Sequence, residues 1–388
     1  MHDWIVIGGG ITGISLSYEL QKAGLSVLLI EQHQQLQGAS SLGYGGIPYW
    51  SGTTSLTRQL CQEGIDRQRE LSNELGMDTE FRLLDLLLTI EPDVESQTIL
   101  SQYSNCAIAP TLLSSQEASD REPLLNPQGI NGALLFPHAH INLDSFVTAH
   151  SEALQRLGGE ILYAKVKNLL RSGDRVFGVA TEQGDFHSSQ VVVCAGGISR
   201  ALLKASGINA RIYFTHAEAI DTEPVELKLR SMVMPADTKR YQLEAATTNA
   251  DQDSIWDIAG HELLPPSIDA GAIQFCDRRI RFGQLSRVLT DPYAAIDPVQ
   301  SESAIRANVS KVLPKIAELK GKWRNCLVSF TNDNLPLVGS LDGHENLYLF
   351  SGFTSATVYV PPLAKRFAAF VTGHPDQIIP LFSPKRFL

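Results

Sequence analysis

The chain lacks several features that would assign it to a familiar class at once. Its five cysteines are scattered, form no CxxC pair and show no spacing typical of a metal site. We therefore predict no metal, and we expect reduced thiols in a cytoplasmic protein. No run of about 18 apolar residues predicts a transmembrane segment. The first residues have the pattern of a strand that enters a turn, not that of a signal peptide.

Clusters of basic residues are missing as well. The 388 residues include 32 Lys and Arg against 42 Asp and Glu, which gives a formal net charge of −10. Neither a nucleic acid nor an anionic membrane surface is therefore a predicted partner. An apolar content of 43% is typical of a globular chain, and the length allows one large two-lobed unit or two to three domains.

A cluster of glycines lies near the start of the sequence, in "WIVIGGGITGISLSYELQKAGLSVLLIE" at residues 4–31. An apolar run, a GxGxxG motif at Gly8, Gly10 and Gly13, a helical pattern and a second apolar run predict one βαβ unit. One glycine permits the tight turn, and the next lets backbone N–H groups approach a pyrophosphate. The third lets the helix pack on the strand, with its N-terminus facing the phosphate charge. The segment therefore predicts a dinucleotide site.

The second apolar run ends at Glu31. A carboxylate at this position is placed to accept hydrogen bonds from the ribose hydroxyls of an adenine dinucleotide. It argues against NADP, because it would repel the 2′-phosphate. The motif alone does not distinguish NAD from FAD.

Strands typical of a nucleotide-binding sheet recur near residues 191 and 347, far from the first βαβ unit. The segments between them alternate short strands with polar turns, and helical patterns cover 54–76, 143–157 and 300–318. We predict an α/β chain (α+β overall) in which a mainly antiparallel sheet domain is inserted into a Rossmann-like domain. The predicted cofactor domain comprises 1–80, 141–210 and 325–388, and the predicted substrate domain comprises 81–140 and 211–324.

With these pieces in order, the sequence resembles the D-amino-acid oxidase superfamily of flavoproteins, in particular its glycine oxidase and sarcosine oxidase branches. The resemblance rests on the glycine motif with Glu31 and on "SSLGYGGI", "LSSQEASDREPLL", "ALLFPHAHINLDSFVTAH", "VVVCAGG", "TNDNLPLVG", "NLYLFSGF" and "LFSPKRF". It implies FAD and a p-hydroxybenzoate-hydroxylase-like architecture. It also implies oxidation of the C–N bond of a small amine or amino acid, with hydride passing to flavin N5 and electrons to oxygen or another acceptor.

The motif and the resemblance together predict the residues that contact FAD. They are Gly8, Gly10, Ile11, Thr12, Gly13, Glu31, Gln32, Ser40, Ser41, Gly45, Gly46, Ile47, Val166, Ala195, Gly196, Cys326, Gly352, Phe353, Thr354, Ser355, Ala356 and Thr357.

The chain departs from the family at positions that matter for the substrate. Cys326 aligns with the cysteine that links the flavin in sarcosine oxidases, so it is either a thioether partner or an ordinary buried cysteine. Val328 stands where glycine oxidases carry an arginine and sarcosine oxidases a tyrosine, and Tyr359 stands where sarcosine oxidases carry a lysine. Two anchors for a substrate carboxylate are therefore missing.

Arg281 aligns with the lysine that assists the reaction of the flavin with oxygen, and we predict a catalytic role for it. The alternative is an arginine on a strand that faces solvent. Arg240, Arg278 and Arg279 are further cations that could bind an anionic substrate.

Two other functions stay open. One is oxidation of a hydroxy acid or glycerol phosphate by the same fold. The other is a flavin-binding subunit without catalysis, which only the loss of the family's glycines at 355–357 supports.

Overall fold

The computed structural model describes residues 2–237 and 239–387, so the domain limits predicted at 1 and 388 lie outside it. Its strands are β1 (His2–Ile7), β2 (Val27–Glu31), β3 (Gly46–Ile47), β4 (Arg82–Ile90), β5 (Thr111–Ser114), β6 (Gly132–His140), β7 (Glu160–Tyr163), β8 (Val166–Ser172), β9 (Arg175–Thr181), β10 (Gly184–Val193), β11 (Tyr213–Thr222), β12 (Met232–Pro235), β13 (Glu262–Gln274), β14 (Ile280–Leu289), β15 (Gly321–Phe330), β16 (Leu337–Ser340) and β17 (Leu347–Ser351).

The helices connect these strands. They are α1 (Ile11–Lys22), α2 (Ala39–Leu42), α3 (Ser55–Leu75), α4 (Ser96–Gln102), α5 (Ser115–Arg121), α6 (Leu143–Arg156), α7 (Ser199–Ala205), α8 (Lys239–Ala246), α9 (Pro298–Val312), α10 (Pro314–Ala317) and α11 (Ala356–Val371). Short 3₁₀ segments occur at Pro127–Gly129, Gly196–Ile198, Ala250–Asp257, Ile379–Phe382 and Pro384–Phe387.

The first sheet has the strand order β16-β17-β10-β1-β2-β7, and β17, β10, β1, β2 and β7 run parallel. Ile7 at the end of β1 pairs with Val193 on one side and with Ile30 on the other. The carboxyl ends of these strands therefore meet at one edge of the sheet, where ligands bind in open α/β folds.

Side chains of β1 alternate between two cores, which explains its continuous apolar sequence. Trp4 and Val6 pack in a core with α1, α3, α6 and α11, while Ile5 and Ile7 pack in a second core that includes α7, β8 and β9. A parallel strand buried on both faces needs apolar residues at every position. Helix ends carry capping interactions that the sequence explains. For example, a capping box joins Thr54 and Thr57 at the start of α3, and Gly76 ends that helix at a φ of 68°.

The second sheet has the strand order β15-β11-β14-β13-β12-β4-β6-β3, with β5 beside β6. Its pairs are antiparallel except for β12 and β4, which run parallel. One face packs on α9 and α10 around Phe282, Ile305 and Val309. The predicted combination of a Rossmann-like sheet and a second, mainly antiparallel sheet is confirmed.

Some details differ from the sequence prediction. The helix predicted over 300–318 is divided into α9 and α10, because Pro314 cannot donate a backbone hydrogen bond. The predicted division between 324 and 325 falls inside β15, where every residue pairs with β11. Likewise β3, which falls in the predicted cofactor segment 1–80, pairs with β6 in the second sheet. Helix α8 lies in a stretch for which only strands and turns were predicted.

Candidate active site

The glycine motif forms the turn between β1 and α1, and each of its glycines has little space around it. Gly8 has a φ of 106°, in the region that favours glycine. A Cβ on Gly13 would lie 1.8 Å from the Gly8 carbonyl oxygen, and one on Gly10 would lie 2.8 Å from Ser40 Oγ. These contacts match the three tasks proposed for the motif: the turn, the close approach and the packing of helix on strand.

Helix α1 begins directly after this turn. Its N-cap residue is Gly10, which has no side chain to cap the first backbone N–H groups. The backbone N–H of Ile11 donates to Ser40 Oγ at 2.9 Å, so α2 closes one side of the helix start. The first residues of α1 line the cavity described below, so the positive end of the helix dipole faces that cavity, as a phosphate site requires.

Glu31 ends β2 beside the same turn. Its carboxylate accepts a hydrogen bond from the N–H of Gly9 at 2.6 Å and another from the N–H of His33 at 2.9 Å. Glu31 therefore stabilises the glycine turn and also faces the space where a ribose would lie.

A cavity of about 780 Å³ extends from this turn to β15. Its volume lies in the range of pockets that hold cofactors, roughly 300–1,000 Å³. Of the predicted cofactor residues, those that line it are Gly8, Gly10, Ile11, Thr12, Glu31, Gln32, Ser40, Val166, Ala195, Gly196, Cys326, Phe353 and Ala356. Parallel strand ends, the start of a helix and an acid at the end of β2 thus surround one elongated space. These features fit an adenine dinucleotide.

The cavity also has lining residues that the sequence did not single out, among them Lys165, Tyr293, Asn325 and Leu327. Lys165 follows β7, which ends at the same edge as β1 and β2. That parallel pairing is the signal that could have identified it. Tyr293 lies in the loop after β14, where no sequence pattern indicates contact with the cofactor domain.

The remaining predicted residues within the described ranges lie outside the cavity lining and belong to segments behind it. Thr357 Oγ1 donates to the Gly46 carbonyl at 2.6 Å, and Thr354 Oγ1 donates to the Asn334 carbonyl at 3.0 Å. These bonds hold the cavity walls in place. The residues in this group are Gly13, Ser41, Gly45, Gly46, Ile47, Gly352, Thr354, Ser355 and Thr357.

Arg281 is buried, with 3% of its surface exposed, so the alternative of a solvent-facing strand arginine is wrong. Its guanidinium donates to both carboxylate oxygens of Asp221, at 2.6 and 2.7 Å, and to the carbonyls of Ser41 and Gly43, at 3.0 and 2.6 Å. Arg324 contacts the same Asp221 and donates to Ser41 Oγ at 2.6 Å. The arginine pair attaches the segment around α2 to the second sheet, which is a positioning role. The predicted catalytic role of Arg281 stays a prediction.

Cys326 lies on β15 opposite Ala217 and lines the cavity. Burial raises the pKa of its thiol to about 12, against the opposing attraction of nearby arginines. Val328, two residues further along the same strand, also lines the cavity. Tyr359 is buried in α11, and its hydroxyl lies 4.0 Å from Cys61 Sγ.

Helix α11 begins at Ala356 and contains Pro361 and Pro362. Its N-cap residue Ser355 supplies no side-chain hydrogen bond, and Ala356 lines the cavity. A second helix start therefore faces the cavity although the family's glycines are missing there.

Comparisons with known proteins agree with this geometry. Glycine oxidase of Pseudomonas aeruginosa is 23% identical over 97% of this chain and 96% of its own length. 4-Methylaminobutanoate oxidase (formaldehyde-forming) of Paenarthrobacter nicotinovorans is 27% identical over 95% of this chain, which spans only 43% of that relative. The structure of glycine oxidase from Geobacillus kaustophilus has the same fold, with a TM-score of 0.79, 18% identity, and coverage of 100% of this chain and 99% of that one.

Among the described residues, no helix is both long and apolar enough to cross a membrane. The family of FAD-dependent oxidoreductases known as DAO matches residues 3–369, nearly the whole chain. The protein belongs to this family and is an FAD-dependent oxidoreductase.

Proposed function

We propose that the protein oxidises the C–N bond of a small amine or amino-acid-like substrate and passes the electrons to oxygen or another acceptor. The observation that carries the proposal is the cavity that joins the glycine turn to the face of the second sheet at Cys326 and Val328. A dinucleotide held at the turn would bring its reactive end to this face. When bound, FAD supplies the group that accepts a hydride, and with it two electrons, from the substrate.

The chain's own residues hold and orient the reactants. The start of α1 and Glu31 hold the pyrophosphate and ribose end, and the short side chains at 326 and 328 leave room for a small substrate beside the sheet. The names of related proteins support the choice of bond. They include glycine oxidase, 4-methylaminobutanoate oxidase and an iminodiacetate oxidase from Chelativorans, each named for an amine-containing compound.

An anaerobic screen tests the proposal. The purified yellow protein is mixed with amines, N-methyl amino acids, cyclic amino acids, hydroxy acids and glycerol phosphate, and the flavin absorbance is followed. We expect bleaching by at least one compound with a C–H bond next to nitrogen, and none by free FAD under the same conditions. Bleaching by hydroxy acids or glycerol phosphate alone would replace the proposal with C–O oxidation. A flavin that no compound reduces would contradict both reactions.

Oxygen as the acceptor is tested separately. After anaerobic reduction, the rate at which the yellow colour returns in air-saturated buffer is compared with the steady-state turnover. Reoxidation at least as fast as turnover makes the protein an oxidase. Reoxidation that is much slower than turnover with an artificial electron acceptor makes it a dehydrogenase.

A further inference from the structure

One face of the second sheet carries short side chains where the family's carboxylate anchors are missing. Thr215 on β11 pairs with Val328 on β15, and Ala217 pairs with Cys326, so the four side chains lie on one face. Cys326 and Val328 line the cavity. Val328 brings no charge to this face.

Helix α8 supplies charged groups to this same face. Glu244 is fully buried, and its Oε1 accepts a hydrogen bond from Thr215 Oγ1 at 2.7 Å and another from Arg240 Nε at 2.9 Å. Because Thr215 pairs with Val328, Glu244 holds Arg240 over the part of the sheet where the family's arginine or tyrosine would begin. The charge that position 328 lacks is thus available from another element.

Within the described residues, only one of the three guanidinium nitrogens of Arg240 donates a hydrogen bond. Its Nε is bound to Glu244, while Nη1 and Nη2 have no hydrogen-bond acceptor among the residues that the structure describes. The side chain of Arg240 is 16% exposed. The nearby carboxylate of Asp269 is not hydrogen-bonded to Arg240 within the same described residues, although its charge is close enough to interact with it.

The end of α8 is held from two sides. Trp256 Nε1 donates to the Thr247 carbonyl at 2.9 Å, and Asn332 Nδ2 donates to Thr248 Oγ1 at 2.7 Å. Asn332 lies two residues after the end of β15, so the chain that leaves the cavity-lining strand contacts the end of the helix that carries Arg240. A binding group needs such support to keep its geometry.

We propose that the Nη1–Nη2 edge of Arg240 binds the carboxylate of the substrate and replaces the two anchors that this chain lacks on β15 and α11. An arginine held through Nε presents two parallel N–H groups, which match the two oxygens of a carboxylate. The substrate is then an amino acid or another amine that carries a carboxylate. This inference rests on the proposed function and names its substrate class.

Binding of butanoate and of its neutral counterpart butanamide to the FAD-bound protein, measured by calorimetry, tests this pairing. We expect the native protein to bind butanoate at least about tenfold more tightly than butanamide. In the double variant Arg240→Gln/Glu244→Gln the preference disappears. The second substitution removes the carboxylate that would otherwise lie buried without its cation, so that the protein folds. Unfolding by urea, compared with the native protein, checks this.

Two single variants refine the test. Arg240→Lys keeps the positive charge but lacks the two parallel N–H groups of the guanidinium. We expect this variant to retain only part of the preference for butanoate over butanamide. Arg278→Gln removes an arginine of the same sheet domain that is 59% exposed and pairs with Glu226, and the preference should not change. A preference for butanoate that survives in the double variant would overturn the assignment, as would a native protein that binds both compounds equally.

These experiments distinguish a failure of Arg240 as the carboxylate anchor from a failure of C–N oxidation as the proposed function. Native flavin that is reduced only by amines without a carboxylate would contradict Arg240 as anchor and leave C–N oxidation standing. A butanoate preference that depends on Arg240, together with flavin that no amine reduces, would support the anchor and contradict C–N oxidation. For a reactive amino acid, we expect the double variant to raise KM at least about tenfold and to change kcat less.

Discussion

At the scale of single residues, the environment of Cys326 favours one of the two interpretations that its alignment allows. The thiol lies at the cavity wall, where a flavin ring would be near it. Formation of a thioether requires the thiolate, and burial raises the pKa of this thiol to about 12. At neutral pH the group is therefore a thiol. Position favours contact with the cofactor, while protonation disfavours a bond to it.

We accordingly predict that FAD is held without a covalent bond. Acid-precipitated protein, run on a denaturing gel and viewed under ultraviolet light, should show a dark band, and the flavin should stay in the supernatant. Cys326→Ala serves as the control and should give the same dark band. A fluorescent band from the native protein that vanishes in Cys326→Ala would show that the thioether forms in spite of the high pKa.

Asp269 is a second residue whose environment has a measurable consequence. Burial raises its pKa from 3.8 to about 6, against the attraction of Arg240. Asp237 and Glu244 raise it further, and Lys239 lowers it. Because the folded protein holds this proton more tightly than the unfolded chain does, the free energy of unfolding falls as pH rises from about 4 to about 6.

Replacement of Asp269 by Asn should remove this pH dependence. We expect the native protein to lose roughly 1–3 kcal/mol relative to Asp269→Asn between pH 4 and pH 6.5. Urea unfolding of both proteins at saturating FAD, at several pH values in this range, measures the difference. A constant difference between the two proteins across the range would mean that Asp269 keeps an ordinary pKa in the folded state.

At the scale of elements, the turn between β1 and α1 joins sequence, packing and cofactor binding. A Cβ on Gly10 would already lie 2.8 Å from Ser40 Oγ, and the larger valine side chain would extend toward the cavity. The same glycine allows α2 to approach the start of α1, where Ser40 accepts the hydrogen bond of Ile11. A larger side chain at position 10 would therefore reduce the space in the cavity more than it would disturb the hydrophobic core.

Gly10→Val should give folded protein that purifies without the yellow colour, because its side chain would occupy the pyrophosphate position. The control Ala23→Val adds comparable bulk to an exposed residue at the far end of α1 and should keep the colour. Absorbance at the flavin band per protein, with circular dichroism to check folding, distinguishes the two. Full FAD occupancy in Gly10→Val would place the cofactor elsewhere.

The elements also show how far sequence reasoning reaches. The βαβ unit of residues 4–31 could be predicted because strand, glycine turn and helix are local signals that agree with one another. Helix α8 could not be predicted in this way, because it has only eight residues and its position depends on contacts with Thr215, which lies earlier in the chain, and with Trp256, which lies after the helix. The pairing of β15 with β11 is equally non-local, so the predicted domain boundary fell inside a strand.

At the scale of the whole molecule, three sets of contacts join the two sheets. Arg281 and Arg324 attach the segment around α2 to the second sheet, and Gly197 lies so close to Leu327 that a Cβ would be 2.3 Å from it. A third connection runs from α7 of the Rossmann-like unit to the 3₁₀ segment after α8. There Arg200 donates to Asp253 and Asp257, at 2.9 and 3.0 Å.

This third connection includes two cations on helix α7, one buried and one exposed, whose contributions to stability can be compared. Arg200 is 6% exposed and binds two carboxylates, whereas the side chain of Lys204 is 50% exposed and binds only Asp257 among the described residues' carboxylates. Loss of Arg200 leaves Asp253 without its cation, while Asp257 keeps Lys204. Removal of one partner of a buried ion pair costs about 3–5 kcal/mol, whereas an exposed pair contributes about 0–1 kcal/mol.

Arg200→Ala should therefore lower the free energy of unfolding by about 3–5 kcal/mol, and Lys204→Ala by less than about 1 kcal/mol. Urea unfolding at saturating FAD measures both. Because the segment that Arg200 holds also carries Trp256, which supports the end of α8, Arg200→Ala should in addition weaken butanoate binding, while Lys204→Ala should not. Equal stability of the two variants would show that the connection between the sheets does not depend on the buried ion pair. A large stability loss with unchanged butanoate binding would show that α8 keeps its position without it.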